Sequence, residues 1–221
     1  MTLTADDFGV ATEVNEAVEL AHRNGVLRSA SLMVGAPATQ DAVERARALP
    51  SLAVGLHVVL VNGRPVLEPQ HVPDLVDRNG NFLTELVRAG VRFFFRPGVR
   101  NQLASEIRAQ FDRFAQSLGI GREFGLHAIR IPYEPFGGTR NIAPWRALMR
   151  ARRAGVVYND YAFGVTEKLF HPAVRAFSGA DAGTERYQWS GELAALTSAH
   201  VRSAIERLGI ARITYRELAS C

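Results

Sequence analysis

Two aspartates stand side by side in the stretch TADDFG (4–9), as Asp6 and Asp7. Adjacent like charges repel, and carboxylates are poor strand formers, so the pair calls for a reason. Four other residues have chemistry to offer. His57 lies in GLHVVL, His171 lies in LFHP, and Arg130 and Glu134 flank the end of HAIRIPYEP. Two carboxylates with histidines suit a divalent-metal site that keeps a spare acid and base for hydrolysis. Each residue also has a plainer reading. Asp6 and Asp7 could cap the following helix, although two in succession exceed what a cap needs. Taken alone, His57 reads as a hydrogen-bonded core histidine. His171 before Pro172 could be a simple strand-end residue, and Arg130 with Glu134 an ordinary ion pair. His22, His71 and His200 read as surface residues.

The elements around these residues supply the missing argument. Leu3–Ala5 reads as a short strand running into Asp6 and Asp7. Val14, Ala17, Val18 and Ala21 recur at helical spacing, and Gly25 supplies the stop. Val26–Val34 reads as a strand, Thr39–Leu49 as a helix ended by Pro50, and the apolar run Leu52–Leu60 as a strand covered on both faces. The order β-α-β-α-β argues for a parallel sheet or an α/β barrel. The stretch 61–82, rich in Pro and Asn-Gly, predicts a long loop with a hairpin. Further on, the pattern predicts a helix over 102–118, a strand at 127–132, a helix over 143–154, and strands in VVYNDYAFG and TEKLFHP. It closes with a helix over 192–208 and a last strand with its cap in ARITYREL. In parallel α/β folds functional side chains gather where strands finish. If these strands close into a barrel, the six residues meet on one rim.

Composition narrows the class. A chain of 221 residues can bury one sizeable core, so a single domain over 1–221 is expected. Hydrophobic residues make up 47% and charged residues 22%, as in soluble globular proteins. No apolar run approaches the length of a membrane span, and no signal-peptide pattern opens the chain. The one cysteine, Cys221, excludes an internal disulfide. These features fit a reducing cytoplasm. The net charge of +4 reads as a solvated surface with a modest positive excess, and no nucleic-acid-binding signature is present.

The segments TADDFG, NEAVELAHRNGVLRSASLMVGAPA and VGLHVVLVNGRPV resemble the YdjC-like carbohydrate deacetylases. The segments LVRAGVRFFF, EIRAQFDRF, GLHAIRIPYEP, FHPA and GELAALTSAHVRSAIERLGI resemble, within that family, the hopanoid biosynthesis-associated branch (HpnK). The resemblance runs over nearly the whole chain. It implies a distorted (β/α) TIM-like barrel and metal-dependent hydrolytic deacetylation of an N-acetylated sugar. For the hopanoid branch the implied substrate is an N-acetylglucosaminyl hopanoid, which would place the protein in the cytoplasm or at the inner membrane face. Asp7 and His57 resemble the family's metal ligands, Asp6 its catalytic base and His171, in the His-Pro motif, its general acid. Arg130 and Glu134 are assigned to substrate binding. The implied cofactor is a divalent ion, Mg2+ ahead of Zn2+.

The chain departs from the family pattern in one important respect. The family carries a strand of the form His-x-His-x-His-x-His-Pro, which supplies a further metal-ligand histidine. Here FAQSLGI runs straight into GREFGLHAIRIP. His127 is no replacement, because it matches a different position just before Arg130. A second gap falls between DYAFG and VTEKLFHP, and the opening strand is clipped. Two explanations compete: the protein lacks these pieces, or the sequence is the ordered part of a longer chain. The second is expected, because removing a strand from a barrel would expose an apolar edge. It predicts breaks near 119–121 and 164–165.

Three alternatives stand beside the deacetylase reading. One is a catalytically silent carbohydrate-binding protein on the same scaffold. Another is glycoside hydrolysis by two carboxylates, disfavoured because neighbours on one strand end are badly placed to flank a bond. The third concerns VRFFFRPGVR (91–100), whose phenylalanines could dock on a membrane. Packing on the barrel or on a homodimer partner is preferred for that segment.

Overall fold

The computed structural model describes residues 1–85, 89–90, 92–93, 96, 98–119, 167–177 and 187–218, with the backbone of 128–129 and 157–158. The chain begins β1 (Thr2–Phe8), α1 (Thr12–Asn24), β2 (Ser29–Leu32), α2 (Thr39–Ala48) and β3 (Ala53–Leu56). A 3-10 turn (Pro69–His71) and the long helix α3 (Val99–Leu118) follow. Then come β4 (Ala128–Ile129), β5 (Val157–Tyr158), β6 (Glu167–Phe170), and helices α4 (Trp189–Thr197), α5 (Ala199–Arg207) and α6 (Tyr215–Leu218).

Four strands form a parallel sheet in the order β3-β2-β1-β6, and β4 pairs with β5 in a second, two-stranded parallel sheet. The fold is therefore α/β with a parallel sheet. Its first strand lies between the second strand and the sixth. Among the described residues the sheet is open, so they do not close the expected barrel.

Alternation along the strands sorts the side chains onto two faces. Leu3, Ala5 and Phe8 of β1 and Ala30 and Leu32 of β2 face the helices. There they pack with Val14, Val18 and Ala21 of α1 and Ala42, Val43 and Ala46 of α2 in the main core. The opposite face carries Thr2, Thr4 and Asp6 of β1 beside Ser29 and Ser31 of β2. It is a row of hydroxyls that ends in a carboxylate. Gly25 closes α1 because α4 crosses it closely. The amide of Val26 donates to the carbonyl of Leu196, and a Cβ on Gly25 would collide with that carbonyl and with the carbonyl of Ala21.

Several expectations need adjusting. β1 runs through both aspartates, because β2 pairs with it again at Phe8 beyond them, while the ladder with β6 ends at Ala5. The helix expected over 192–208 is two helices. Ser198 interrupts it with extended backbone, and its hydroxyl accepts from the Val201 amide as the cap of α5. The last strand expected in ARITYREL does not form. The Met1 amine donates to the Ala211 carbonyl and the Ile213 amide to the Met1 carbonyl, after which the chain turns into α6. Thr214 and Glu217 exchange backbone-to-side-chain bonds there as a capping box. The hairpin expected in 61–82 is reduced to one antiparallel bridge, Val76 with Phe82, closed by the Asp77 carboxylate accepting from Asn79 and Asn81. Phe93 packs against a satellite core of Val72, Leu75, Val76, Phe82 and Val99, and Phe94 and Phe95 lie outside the described residues. The helix expected over 143–154 and the breaks expected beyond Gly119 and at 164–165 fall outside the described residues.

Candidate functional site

The adjacent aspartates can serve one site only if the strand breaks its own alternation. In a regular strand Asp6 would face the hydroxyl row and Asp7 the helices. The register between β1 and β2 slips after Ala5, so that Phe8 pairs with Leu32. Asp7 takes up the extra residue with a left-handed backbone, φ 62°. Such a conformation costs a non-glycine residue energy, though aspartate tolerates it better than most. Bulges of this kind re-aim side chains beside functional sites. The result is that Phe8 stays in the helix-side core while Asp7 turns toward the same rim as Asp6. The Asp7 Oδ1 lies 3.7 Å from Nδ1 of His57.

Asp6 is 4% exposed, at the end of the hydroxyl row. Its Oδ1 accepts a 2.6 Å hydrogen bond from the Ser31 hydroxyl. The same hydroxyl lies 3.0 Å from His57 Nδ1. His57 stands one residue beyond β3, where its amide donates to the Leu32 carbonyl. Ser31 pairs with Gly55, so the parity of the strands brings Asp6, Ser31 and His57 to one face at one end of the sheet.

His171 stands one residue beyond β6, the strand paired with β1 through Ala5 and Phe170. Its amide donates to the Glu192 carboxylate of α4. Its ring stacks on Tyr187, with centroids 3.8 Å apart and planes 12° from parallel. Burial pushes the Tyr187 phenol above its ordinary pKa, and the negative charges of Asp7, Asp6 and Glu192 push it in the same direction. Tyr187 thus stays a protonated donor at the rim shared by Asp6, Asp7 and His171.

Two buried amides brace the rim. Asn15 of α1 is fully buried. Its Oδ1 accepts from the Gly9 amide just after the bulge, and its Nδ2 donates to Ala38 and Asp41 of the α2 region. Gln110 of α3 accepts from the Val59 amide and donates to the Val59 carbonyl, pinning the chain two residues past His57.

Asp6, Asp7 and His57 are thus brought into one contact cluster, and His171 is set beside it by strand register. Arg130 and Glu134 lie outside the described residues. Sequence reasoning missed Ser31 and Tyr187. Ser31 carried a faint signal, since it sits two residues after Ser29 at the parity that faces inward. As metal donors, Asp7 and His57 offer a hard oxygen and an imidazole side by side, which fits a divalent ion in kind. Among the described residues no group of three or more His, Cys, Asp or Glu is arranged to hold an ion. The pair is a partial donor set.

The model of the YdjC-like protein family matches residues 1–124. A carbohydrate deacetylase of Geobacillus stearothermophilus is 30% identical, over 97% of this chain and 96% of that protein. The chain belongs to the YdjC-like family. The Geobacillus alignment spans 246 residues against a chain of 221, so that relative has segments with no counterpart here. A carbohydrate deacetylase of Vibrio vulnificus (strain CMCP6) is 50% identical over 78 residues, which is 35% of this chain and 30% of that protein. The match to this relative therefore spans under a third of its length. A crystal structure from Enterococcus faecalis V583, provisionally described as a cellobiose-phosphate cleavage protein, superposes with a TM-score of 0.66. It covers 98% of this chain and 97% of that one at 22% identity, which speaks for the fold alone.

Proposed function

We propose that the protein is a hydrolase that removes the acetyl group from an N-acetylated sugar with the help of a divalent metal ion. The observation that carries this reading is the convergence of Asp6, Asp7 and His57 on one rim, in a chain aligned almost end to end with a carbohydrate deacetylase. The family resemblance extends the proposal to an N-acetylglucosaminyl hopanoid as substrate, met at the cytoplasmic face of the membrane. It also extends it to Mg2+ ahead of Zn2+ and to completion of the sheet as a TIM-like barrel. The place of β1 between β2 and β6 supports that closure. Among the described residues no helix is long and apolar enough to cross a membrane.

An acetamide resists water at neutral pH, so the site must strengthen the nucleophile, the electrophile and the leaving group. Asp7 and His57 would hold the ion, which when bound supplies Lewis acidity toward water and the acetyl carbonyl. Asp6, held in place by Ser31, accepts the proton that the attacking water gives up. His171 protonates the departing nitrogen, a task suited to imidazole. The products are acetate and the free amine. Tyr187 keeps the His171 ring in one plane by stacking. Tyr187→Leu is therefore expected to lower kcat by about tenfold, the worth of one aromatic pair, while KM changes little. Tyr187→Phe keeps the stack and should retain kcat. Equal losses in both variants would show that the ring contact is not what matters.

The test of the function is acetate and free-amine release from N-acetylglucosamine oligosaccharides. Turnover should vanish on chelation and return with Mg2+ or Zn2+. The partial donor set among the described residues favours one other reading, a carbohydrate-binding protein without turnover. Saturable sugar binding without acetate release, in protein that has bound metal, would establish that reading instead.

A further inference from the structure

We propose that Glu192 is a positioning residue for His171: its carboxylate fixes the backbone from which the imidazole projects, while Tyr187 fixes the ring. For its functional meaning this inference rests on the reading of His171 as the proton donor to the departing nitrogen. The need for such a hold follows from the end of the sheet. The ladder between β1 and β6 stops at Phe170 opposite Ala5, so the His171 amide lies beyond it. The next residue is Pro172, which has no N–H to give. A strand that ends in this way leaves its last side chain on a backbone free to swing. Here each remaining amide of the segment is taken up from outside the strand. The His171 amide donates to Glu192 Oε2 at 2.5 Å. The Ala173 amide donates to the Trp189 carbonyl at 3.4 Å, and the Val174 amide to the Glu13 carbonyl at 3.2 Å.

The start of α4 thus holds His171 at two points. Tyr187, two residues before the helix, stacks on the imidazole and sets its plane. Glu192, in the first turn, sets the height of the backbone. A carboxylate suits that place, because the first turn of a helix favours negative charge. It also makes a stronger acceptor for a backbone N–H than a neutral carbonyl does. The helix is itself anchored. Leu196 lies in the main core, and its carbonyl accepts from the Val26 amide. Trp189 packs on Phe177, with ring centroids 5.3 Å apart, which ties the far end of the same segment to the same helix start. The position of the imidazole is therefore referred to the body of the fold through α4, and Glu192 is the one side chain that bonds to the backbone of His171.

A double-mutant cycle on the metal-loaded enzyme tests this, read as acetate release from N-acetylglucosamine oligosaccharides. Glu192→Ala should lower kcat about ten- to a hundredfold with little change in KM, the cost of an acid displaced by about 1 Å. Glu192→Gln keeps an oxygen able to accept from the amide and should restore most of kcat. In a His171→Gln background, Glu192→Ala should lower kcat no further, because it acts only through the imidazole. Amide exchange supplies the second readout: the His171 amide should exchange about tenfold faster in Glu192→Ala and near the wild-type rate in Glu192→Gln. Calorimetric titration with Zn2+ should give wild-type affinity in Glu192→Ala. An equal loss of kcat in both backgrounds would reveal a merely structural role and overturn the proposal, as would an unchanged His171 amide in Glu192→Ala. If His171→Gln alone turns over like wild type, the proton-donor reading fails, and exchange of the His171 amide still decides whether Glu192 holds that backbone.

Discussion

Asp6→Asn is expected to lower kcat for deacetylation by about a hundred- to ten-thousand-fold, the range that a positioned general base contributes. Metal affinity and folding should stay close to wild type. The substitution changes little besides the proton chemistry. Asparagine keeps the shape, and its Oδ1 can still accept from the Ser31 hydroxyl that now binds Asp6. At 4% exposure the neutral amide costs no more to bury than the carboxylate it replaces. The amide cannot take a proton from water at any working pH. Asp7→Asn should behave differently, losing metal affinity along with turnover. Measuring kcat and bound metal for both variants separates a base from a ligand. Near-normal turnover in Asp6→Asn would remove it from the chemistry, and unchanged metal binding in Asp7→Asn would remove that residue from the ion site.

The difference between these neighbours is also where sequence reading reaches its limit. Strand-end logic finds Asp6, Asp7, His57 and His171, because apolar runs followed by polar residues mark strand ends whatever their partners. The β-α-β-α-β order is legible for the same reason, and α2 and β3 start within one residue of their expected positions, although β3 ends at Leu56 and not at Leu60. A bulge is not legible. Nothing in TADDFG announces that Asp7 adopts φ 62°, because that backbone is imposed by the register of β2 and by Phe8 seeking the core. Ser31 is one of many serines until a carboxylate and an imidazole are seen on either side of it. Tyr187 lies far along the chain from Asp6, and only its stacking on His171, just before α4, brings it to the rim. The break at Ser198 was readable in principle, since serine is a favoured cap, but the helical spacing runs on across it. In ARITYREL the β-branched pattern suggests a strand, while the Thr214–Glu217 capping box is the signal that prevails.

Glu106→Ala is expected to destabilise the fold by about 3–5 kcal/mol, a large share of a typical domain's stability. The reason lies in what the side chain satisfies. Glu106 is fully buried on α3. Its Oε1 accepts from the Val66 amide at 2.8 Å and from Gln110 Nε2 at 2.8 Å, and its Oε2 accepts from the Leu67 amide at 3.0 Å. Truncation strands two backbone donors and one side-chain donor, each costing about 1–3 kcal/mol if no water replaces the lost acceptor, and it leaves a cavity as well. Glu106→Gln is the sharper probe. Its volume is unchanged, but one of its two oxygens becomes a donor aimed at a group that also donates. It should cost roughly 2 kcal/mol or more. Urea unfolding reads the loss, and hydrogen exchange locates it: the amides of Val66 and Leu67 should lose protection well before those of β1. The effect should reach the site, because Glu106 also orients Gln110, which grips Val59 two residues beyond His57. Weaker metal binding in Glu106→Gln, at a temperature where the variant is still folded, would show that α3 sets the position of His57 through this clamp. Wild-type stability in both variants would mean that water or a rearranged loop satisfies these donors equally well, and Glu106 would then have no part in holding the rim.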